Sequence, residues 1–242
     1  EEQRNFVDTA RNSAEILLVI INDVLDFSKM EAGKLELEIA PFDLAHIVES
    51  TADTLAAAAA SKGIAVYSWV VPGTPRYLLG DAGRIRQILL NLVGNAVKFT
   101  QEGSVTIDVS MTKHEPPYVA LRFDVIDTGI GIPEDRQSDI FNEFTTVDGS
   151  YSRKFEGTGL GLAISQRLVK MMGGEIDFAS APDEGSTFRF ALELEEAPAG
   201  TAVAEPIATE LIPTAGNRNL RILLAEDNPT NRMVAKIMLE KA

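Results

Sequence analysis

The chain has 242 residues, a formal net charge of -14 and no cysteine. This length allows one sizeable core or two smaller ones. The lack of cysteine excludes disulfides and thiolate metal sites, and the acidic balance argues against nucleic-acid binding. Because no stretch approaches the roughly 18 apolar residues of a membrane span, we expect no direct membrane contact by this segment and a cytoplasmic location.

The first predicted element is a long amphipathic helix. Apolar or small residues recur at steps of three and four from Phe6 to Phe27, as in a heptad seam, and a second stripe widens the apolar face. Such a helix needs partner helices, which favours a helical bundle. The pattern predicts one long helix over 1–32, ended by Gly33, and then a short strand over 34–39.

Helical and strand patterns follow one another through residues 33–195. Two strands with one buried face flank the Pro116-Pro117 turn, which is typical of an antiparallel pair. Helices on one face of a mixed sheet predict an α+β fold, a two-layer α/β sandwich. Helices are predicted at 44–60, 84–100, 133–141 and 159–172, and strands at 64–70, 105–111, 119–125, 176–179 and 187–194.

The composition changes after this predicted domain. Residues 196–218 are rich in Ala, Pro and Thr without periodicity, which predicts a flexible linker. Residues 220–225 are apolar except for Arg221, as in a buried parallel strand, and residues 230–241 are helical in pattern. Residues 219–242 therefore predict the first strand and helix of a second, truncated α/β domain.

A polar stripe on the predicted second helix of the domain contains two amides and a lysine. At about 100° per residue, Asn91 and Asn95 lie about 40° apart, with Lys98 about 20° to the other side of Asn91. Amide oxygens suit Mg²⁺, and the Lys98 ammonium suits phosphate. Arg84 and Gln87 share this stripe. The alternative is an ordinary solvated helix face.

Asp127 is in phase with the buried positions of its strand, so we expect its carboxylate on the covered side of the sheet. A buried charge without a donor is costly, and the exocyclic amine of adenine is a suitable donor. Gly129 and Gly131 would let the backbone approach the ring closely. The alternative is a turn in which Asp127 accepts a local N–H.

A glycine-rich run, Gly157-Thr158-Gly159-Leu160-Gly161, precedes a helix. Free N–H groups at a helix start suit a phosphate tail. The loop 142–156 is then interpreted as a lid that brings the cations of Arg153 and Lys154 to the phosphates. The alternative is a surface loop with a helix cap. Together with the stripe and Asp127, the run predicts a site for ATP with Mg²⁺.

These segments resemble the sequence boxes of sensor histidine kinases, members of the Bergerat class of ATP-binding proteins that also includes gyrase and MutL. The matching segments are RIRQILLNLVGNAVKFT, DVIDTGIGI, IFNEF and GTGLGLAIS. The segment INDVLDFSKMEAGKLELE resembles the second dimerisation helix of hybrid histidine kinases. The segment LRILLAEDNPTNRMVAKIML resembles the start of a receiver domain.

The resemblance implies a role for residues in each of these segments. It implies Asn95 as the Mg²⁺ ligand, Asp127 as the adenine contact, Lys98 as a phosphate contact, Phe141 and Phe144 as lid anchors, Thr187 as part of a turn near the adenine, and Glu226 with Asp227 as the receiver's Mg²⁺-binding pair.

Asn91 bears on the type of reaction. Hydrolytic relatives have a Glu at this position that activates water, and an amide cannot act as a general base. We therefore predict the catalytic portion of a hybrid sensor histidine kinase, in which Asn91, Lys98 and Arg153 support phosphoryl transfer. The alternatives are a relative that hydrolyses ATP, and a degenerate binding module, which Glu156 beside the glycine run keeps open.

The phospho-acceptor is expected outside these residues. The family places it in an H-E-x-R-T-P box on the preceding helix, and neither His46 nor His114 has that context. Expected partners are that acceptor helix, a receiver domain of the same protein or a separate response regulator, and a second copy in a homodimer.

Overall fold

The computed structural model describes residues 24–143 and 159–198, together with residues 14, 17, 18, 21 and 22. All of these described residues up to residue 31 are helical and belong to helix α1, which is described without a break over residues 24–31. Gly33 follows this helix with a φ of 62°, a left-handed conformation that glycine adopts without strain. The predicted helix and its end are thus confirmed where the structure describes them.

The predicted strand over residues 34–39 is wrong. These residues lie in no strand, and strand β1 begins only at Ala40. Within this connection the backbone N–H of Glu38 donates to the Asp81 carboxylate at 3.0 Å. The alternation of apolar and polar residues over 34–39 therefore belongs to a connecting segment that packs against the domain without pairing as a strand.

A sheet with three longer helices forms the domain that follows. Its elements are β1 (Ala40–Asp43), α2 (Leu44–Ala60), β2 (Ala65–Val70), β3 (Tyr77–Gly80), α3 (Ala82–Phe99), β4 (Ser104–Glu115), β5 (Tyr118–Asp127), α4 (Glu134–Gln137), α5 (Gly161–Met171), β6 (Glu175–Ala181) and β7 (Gly185–Glu196).

The strands form one mixed sheet of seven within the described residues, in the order β1-β3-β7-β5-β4-β2, with β6 also paired to β7. Only β2 and β4 are parallel among these pairs. Helices α2, α3 and α5 cover one face. This is the predicted α+β two-layer sandwich.

The buried face of the sheet explains where the site forms. Along β5, alternate residues from Val119 to Val125 are buried, and Phe123 stacks on Phe190 of β7 with ring centroids 4.4 Å apart. Asp127 continues the same alternation at the end of the strand. A carboxylate therefore ends a row of apolar side chains beneath α3.

Side-chain caps set the starts of the two long helices. Asp43 accepts from the N–H of His46 at 3.2 Å before α2, and Asp81 accepts from the N–H of Arg84 at 2.9 Å before α3. Capping carboxylates satisfy N–H groups that have no partner within the helix. The Asp81 cap explains why α3 begins before the predicted residue 84.

Contacts at three places connect α1 and the segment after it to the domain. The Asp26 carboxylate accepts from Arg84 at 2.8 Å and from Gln87 at 3.0 Å, both on α3. On α5, Arg167 contacts Glu31 at 3.1 Å and lies over the Phe27 ring at 4.3 Å. The Glu38 bond to Asp81 is the third.

The predicted helix α2 is confirmed with its observed bounds, and the other predicted elements are confirmed with shifted bounds, except that α4 is shorter than the predicted helix over 133–141. Strands β1 and β3 were not predicted.

Contacts divide the chain into two compact units, Glu1–Val203 and Ala204–Ala242. The predicted linker beyond residue 198 and the predicted second domain over 219–242 lie outside the described residues. No helix in the described part of the chain is long and apolar enough to cross a membrane.

Candidate functional site

The polar stripe of α3 is divided between two tasks. Its first part, Arg84 and Gln87, holds Asp26 of α1. Its second part contains Asn91, Asn95 and Lys98, all partly exposed, beside the end of β5. Because Arg84 and Gln87 are bonded to Asp26, the part of the stripe that is a candidate for ligand binding is shorter than the sequence predicts.

Asn91 bridges two helices. Its amide nitrogen Nδ2 donates to the hydroxyl of Ser165 on α5 at 2.8 Å. Its oxygen Oδ1 lies so close to Gly161 that a Cβ at that position would approach it to 2.2 Å. The third glycine of the predicted phosphate loop thus leaves room for the Asn91 side chain.

Asn95 lies one helical turn after Asn91 and accepts no hydrogen bond from the described residues. Its amide oxygen is therefore available to a ligand. Mg²⁺ bound to ATP is commonly held by one or two protein oxygens together with phosphate oxygens and waters. The described residues contain no cluster of three or more His, Cys, Asp or Glu that could hold a metal ion. The single amide oxygen of Asn95 fits a metal ion that is delivered with a nucleotide, since the nucleotide supplies other ligands.

Lys98 has a second lysine beside it. Burial lowers the pKa of Lys98, and the charge of Lys62 lowers it further. Lys62 donates to the carbonyl oxygens of Val97 and Lys98 at 2.7 and 2.9 Å, at the negative end of the α3 dipole. Lys62 was not predicted as a neighbour of Lys98, because it lies in a turn 36 residues earlier in the chain.

Asp127 is 7% exposed at the end of β5. Its oxygen Oδ1 accepts from the backbone N–H groups of Gly129 at 2.8 Å and Ser186 at 3.3 Å. Burial raises the pKa of Asp127, and these two N–H groups partly oppose that rise. Oδ2 accepts no hydrogen bond from the part of the chain described, so it can receive a ligand donor while Oδ1 serves the predicted turn.

The strand register distinguishes Ser186 from Thr187. Asp127 pairs directly with Ser186, whereas Thr187 pairs with Ile126. Because side chains alternate along a strand, Ser186 shares the face of Asp127 and Thr187 points to the opposite face. The Ser186 hydroxyl lies 3.0 Å from that of Ser180. Within the Gly185-Ser186-Thr187 turn that the resemblance places near the adenine, Ser186 is therefore the residue whose side chain shares the face of Asp127.

Gly129 and Gly131 approach other parts of the chain. A Cβ at Gly129 would come within 2.8 Å of the Phe99 carbonyl oxygen, and one at Gly131 within 1.9 Å of the Ala181 carbonyl oxygen. Gly131 also has a φ of 65°. Both glycines therefore allow the close backbone contacts of the turn after Asp127. This role is separate from the close approach to an adenine ring that the sequence predicts.

The two ends of the predicted lid are anchored in the domain. Phe141 packs edge-on against Phe178 of β6, with centroids 5.9 Å apart. Gly159 has a φ of 68°, and the Leu160 side chain is 1% exposed in the core, so only its backbone can face a ligand. The other predicted lid and loop residues, Phe144, Arg153, Lys154, Gly157 and Thr158, lie outside the described residues, as do Glu226 and Asp227.

Comparison with known proteins assigns this arrangement to a family. Residues 80–196 match the family model described as histidine kinase-, DNA gyrase B- and HSP90-like ATPase. The chain is 46% identical over 193 residues to the signal transduction histidine-protein kinase BarA of Escherichia coli. Residues 80–196 form an ATPase domain of the sensor histidine kinase type. The part matched to BarA is 80% of this chain and 21% of BarA.

Two further relatives agree. The sensory/regulatory protein RpfC of Xanthomonas campestris is 38% identical over an alignment of 263 positions, which covers 100% of this chain and 36% of RpfC. The crystal structure of full-length ShkA in complex with AMPPNP superposes with a TM-score of 0.69 at 37% identity and covers 81% of this chain and 40% of ShkA. The chain thus spans only a minor part of the length of the relatives it matches.

Proposed function

We propose that this chain binds Mg-ATP and transfers the γ-phosphoryl group to a histidine on an adjacent helix of the same kinase. The observation that supports this most is Asp127, a buried carboxylate with one oxygen held by backbone N–H groups and the other open to a donor. The exocyclic amine of adenine has the required N–H. Its neighbours on α3 supply an amide oxygen and a cation for the phosphate tail.

The reaction needs positioning and charge neutralisation more than covalent chemistry by the protein. Asn95 is the proposed Mg²⁺ ligand, and the bound ion would neutralise phosphate charge. Lys98 and Arg153 are the proposed cations at the phosphates, with Lys154 and the glycine loop around them. Asn91 is an amide, so it cannot activate water as a general base, which disfavours hydrolysis.

The partners follow from this reaction. We propose that the acceptor histidine passes its phosphoryl group to an aspartate of a receiver domain, either in the same protein or in a separate response regulator. The proposed receiver start over 219–242 would contribute Glu226 and Asp227 to its own Mg²⁺ site. A helical hairpin built around α1 would make the full kinase a homodimer, acting in the cytoplasm where ATP is available.

Calorimetry with the ATP analogue AMPPNP and Mg²⁺ tests the nucleotide site. Asp127→Asn should weaken binding about 10- to 100-fold, because an amide N–H would face the adenine amine. Asp124→Asn is the matched control: Asp124 is on the same strand and also 7% exposed, but it pairs with Arg122 on the opposite face. Equal losses in both variants, or no binding by the wild-type chain, would refute the proposed site.

The same titration tests the metal. Asn95→Ala should remove the gain in AMPPNP affinity that Mg²⁺ gives the wild-type chain, because the substitution deletes the proposed Mg²⁺ ligand. Gln87→Ala is the control on the same helix, since Gln87 contacts Asp26 instead. An Asn95→Ala variant that keeps its full Mg²⁺ dependence would show that Asn95 is not the ligand.

A further inference from the structure

The Asn91 side chain is held on two sides. Nδ2 donates to Ser165 at 2.8 Å, and Ser165 is 1% exposed. On the other side, Oδ1 lies over Gly161, the first residue of α5, where any Cβ would approach it to 2.2 Å. The amide therefore has one defined end towards Ser165 and the other towards the start of α5.

The Ser165 hydroxyl is bonded differently from the hydroxyls of α2. Ser50, Thr51 and Thr54 all donate to carbonyl groups of their own helix, at 3.2, 2.7 and 2.7 Å, which is the usual bond for Ser and Thr inside a helix. Ser50 and Thr54 also accept from Arg86 of α3, so a bond to another helix is not special to Ser165. What distinguishes Ser165 is that its bond within the described residues is the one it accepts from Asn91, 74 residues away on another helix.

We propose that Ser165 is a positioning residue for phosphoryl transfer, which acts by holding the Asn91 amide with its oxygen towards the first turn of α5. This inference rests on the proposed function. A free carboxamide can rotate and exchange its oxygen and its NH₂ group. Fixing the oxygen places an acceptor beside the proposed phosphate loop, where an acceptor suits the water ligands that Mg²⁺ retains. A rotated amide would place a donor there.

The position of Asn91 also explains why α5 begins with glycine. Several described glycines have a positive φ, but Gly161 does not, so its backbone conformation does not require glycine. Its lack of a side chain is needed instead for space, since the nearest atoms to a Cβ all belong to the Asn91 amide. Ser165 and Gly161 thus constrain one side chain from the same helix, one turn apart.

The test measures transfer to the acceptor histidine in the full-length kinase, beside Mg-AMPPNP binding by calorimetry. Ser165→Ala should keep its dissociation constant within about threefold and lower the transfer rate about 10- to 100-fold. In an Asn91→Ala background, Ser165→Ala should cause no further loss, because its effect passes through Asn91. Thr51→Ala is the control, since Thr51 is a fully buried helix hydroxyl bonded within α2, and it should leave both quantities unchanged.

Gly161→Ala provides a second route that leaves Ser165 intact. Its methyl group would displace the Asn91 amide from the opposite side, so transfer should fall as it does in Ser165→Ala. Wild-type transfer by Ser165→Ala, or an equal further loss in the Asn91→Ala background, would overturn the role of Ser165 alone. A wild-type kinase that fails to bind Mg-AMPPNP or to transfer would overturn the proposed function, and the inference with it.

Discussion

Burial of the Asp127 carboxylate should have opposite effects on stability and on ligand binding. It lowers the stability of the folded chain, whereas the same carboxylate favours binding of the nucleotide. Burial raises its pKa, which means that the folded chain disfavours the charged form. This cost is absent at pH values below the pKa of the unfolded chain and grows as the pH rises through the folded pKa.

Asp127→Asn should therefore unfold at an equal or higher temperature than the wild-type chain at about pH 7, while losing nucleotide affinity. The Asn oxygen can still accept from Gly129, so the turn is preserved. The difference in unfolding temperature should shrink as the pH is lowered towards the ordinary pKa of an Asp carboxyl, because the wild-type side chain then becomes protonated in both the folded and the unfolded chain. A variant that is markedly less stable at neutral pH would show that the charge is needed by the fold.

Lys98 should limit nucleotide binding at alkaline pH. Burial and Lys62 lower its pKa below the ordinary value of 10.5, so its charge is lost earlier than that of a solvated lysine. AMPPNP affinity should fall as the pH rises through the lowered pKa of Lys98. Lys98→Arg should reduce this fall, because a guanidinium remains charged over that range. Parallel titration curves for both proteins would contradict a phosphate role for Lys98.

Part of the site could be predicted from the residues themselves. The burial of Asp127 follows from strand alternation, and the face shared by Asn91, Asn95 and Lys98 follows from helical periodicity. The choice between Ser186 and Thr187 depends on the register between β5 and β7, which no local pattern determines. Ser165 and Lys62 were not predicted because each meets its partner only after distant helices and turns come together.

At the level of elements, the turn after β5 depends on close contact between two chain segments. Gly131→Ala should destabilise the domain by more than about 2 kcal/mol, because its methyl group would meet the Ala181 carbonyl as well as an unfavourable φ. Gly173→Ala is the matched control, since Gly173 has a φ of 76° and nothing within 4 Å of a Cβ. It should cost about 1–2 kcal/mol, the penalty for the conformation alone.

Urea unfolding of both glycine variants measures these differences. Similar losses in the two variants would show that the backbone conformation, and not the contact with Ala181, is what requires glycine at residue 131. A loss of AMPPNP affinity in Gly131→Ala at temperatures where it is still folded would further indicate that the turn also positions Asp127.

Element prediction succeeded where periodicity was long and failed where it was short. The 17-residue helix α2 was predicted with its observed bounds. The four-residue strand β3 was missed, because four residues are too few to show alternation. The error at residues 34–39 has the opposite cause. The alternation is present, but the backbone N–H of Glu38 donates to the Asp81 carboxylate and not to a neighbouring strand.

For the whole molecule, we expect nucleotide binding to be separable from phosphoryl acceptance. The chain contains two histidines, and His114 is paired with Glu196 on the sheet. Incubated alone with Mg-ATP, the chain should bind nucleotide and remain unphosphorylated. Addition of a helical hairpin that contains the H-E-x-R-T-P box of the same kinase should allow labelling of the hairpin. Acid-labile phosphate on His46 or His114 would contradict this expectation.

The fastening of α1 has a mechanical consequence. Asp26, Glu31 and Glu38 attach this segment to the starts of α3 and the middle of α5, so no single hinge lies between the helix and the sheet. In this arrangement, a rotation of α1 about its own axis is expected to carry the attached domain with it, because both α3 and α5 contact the helix.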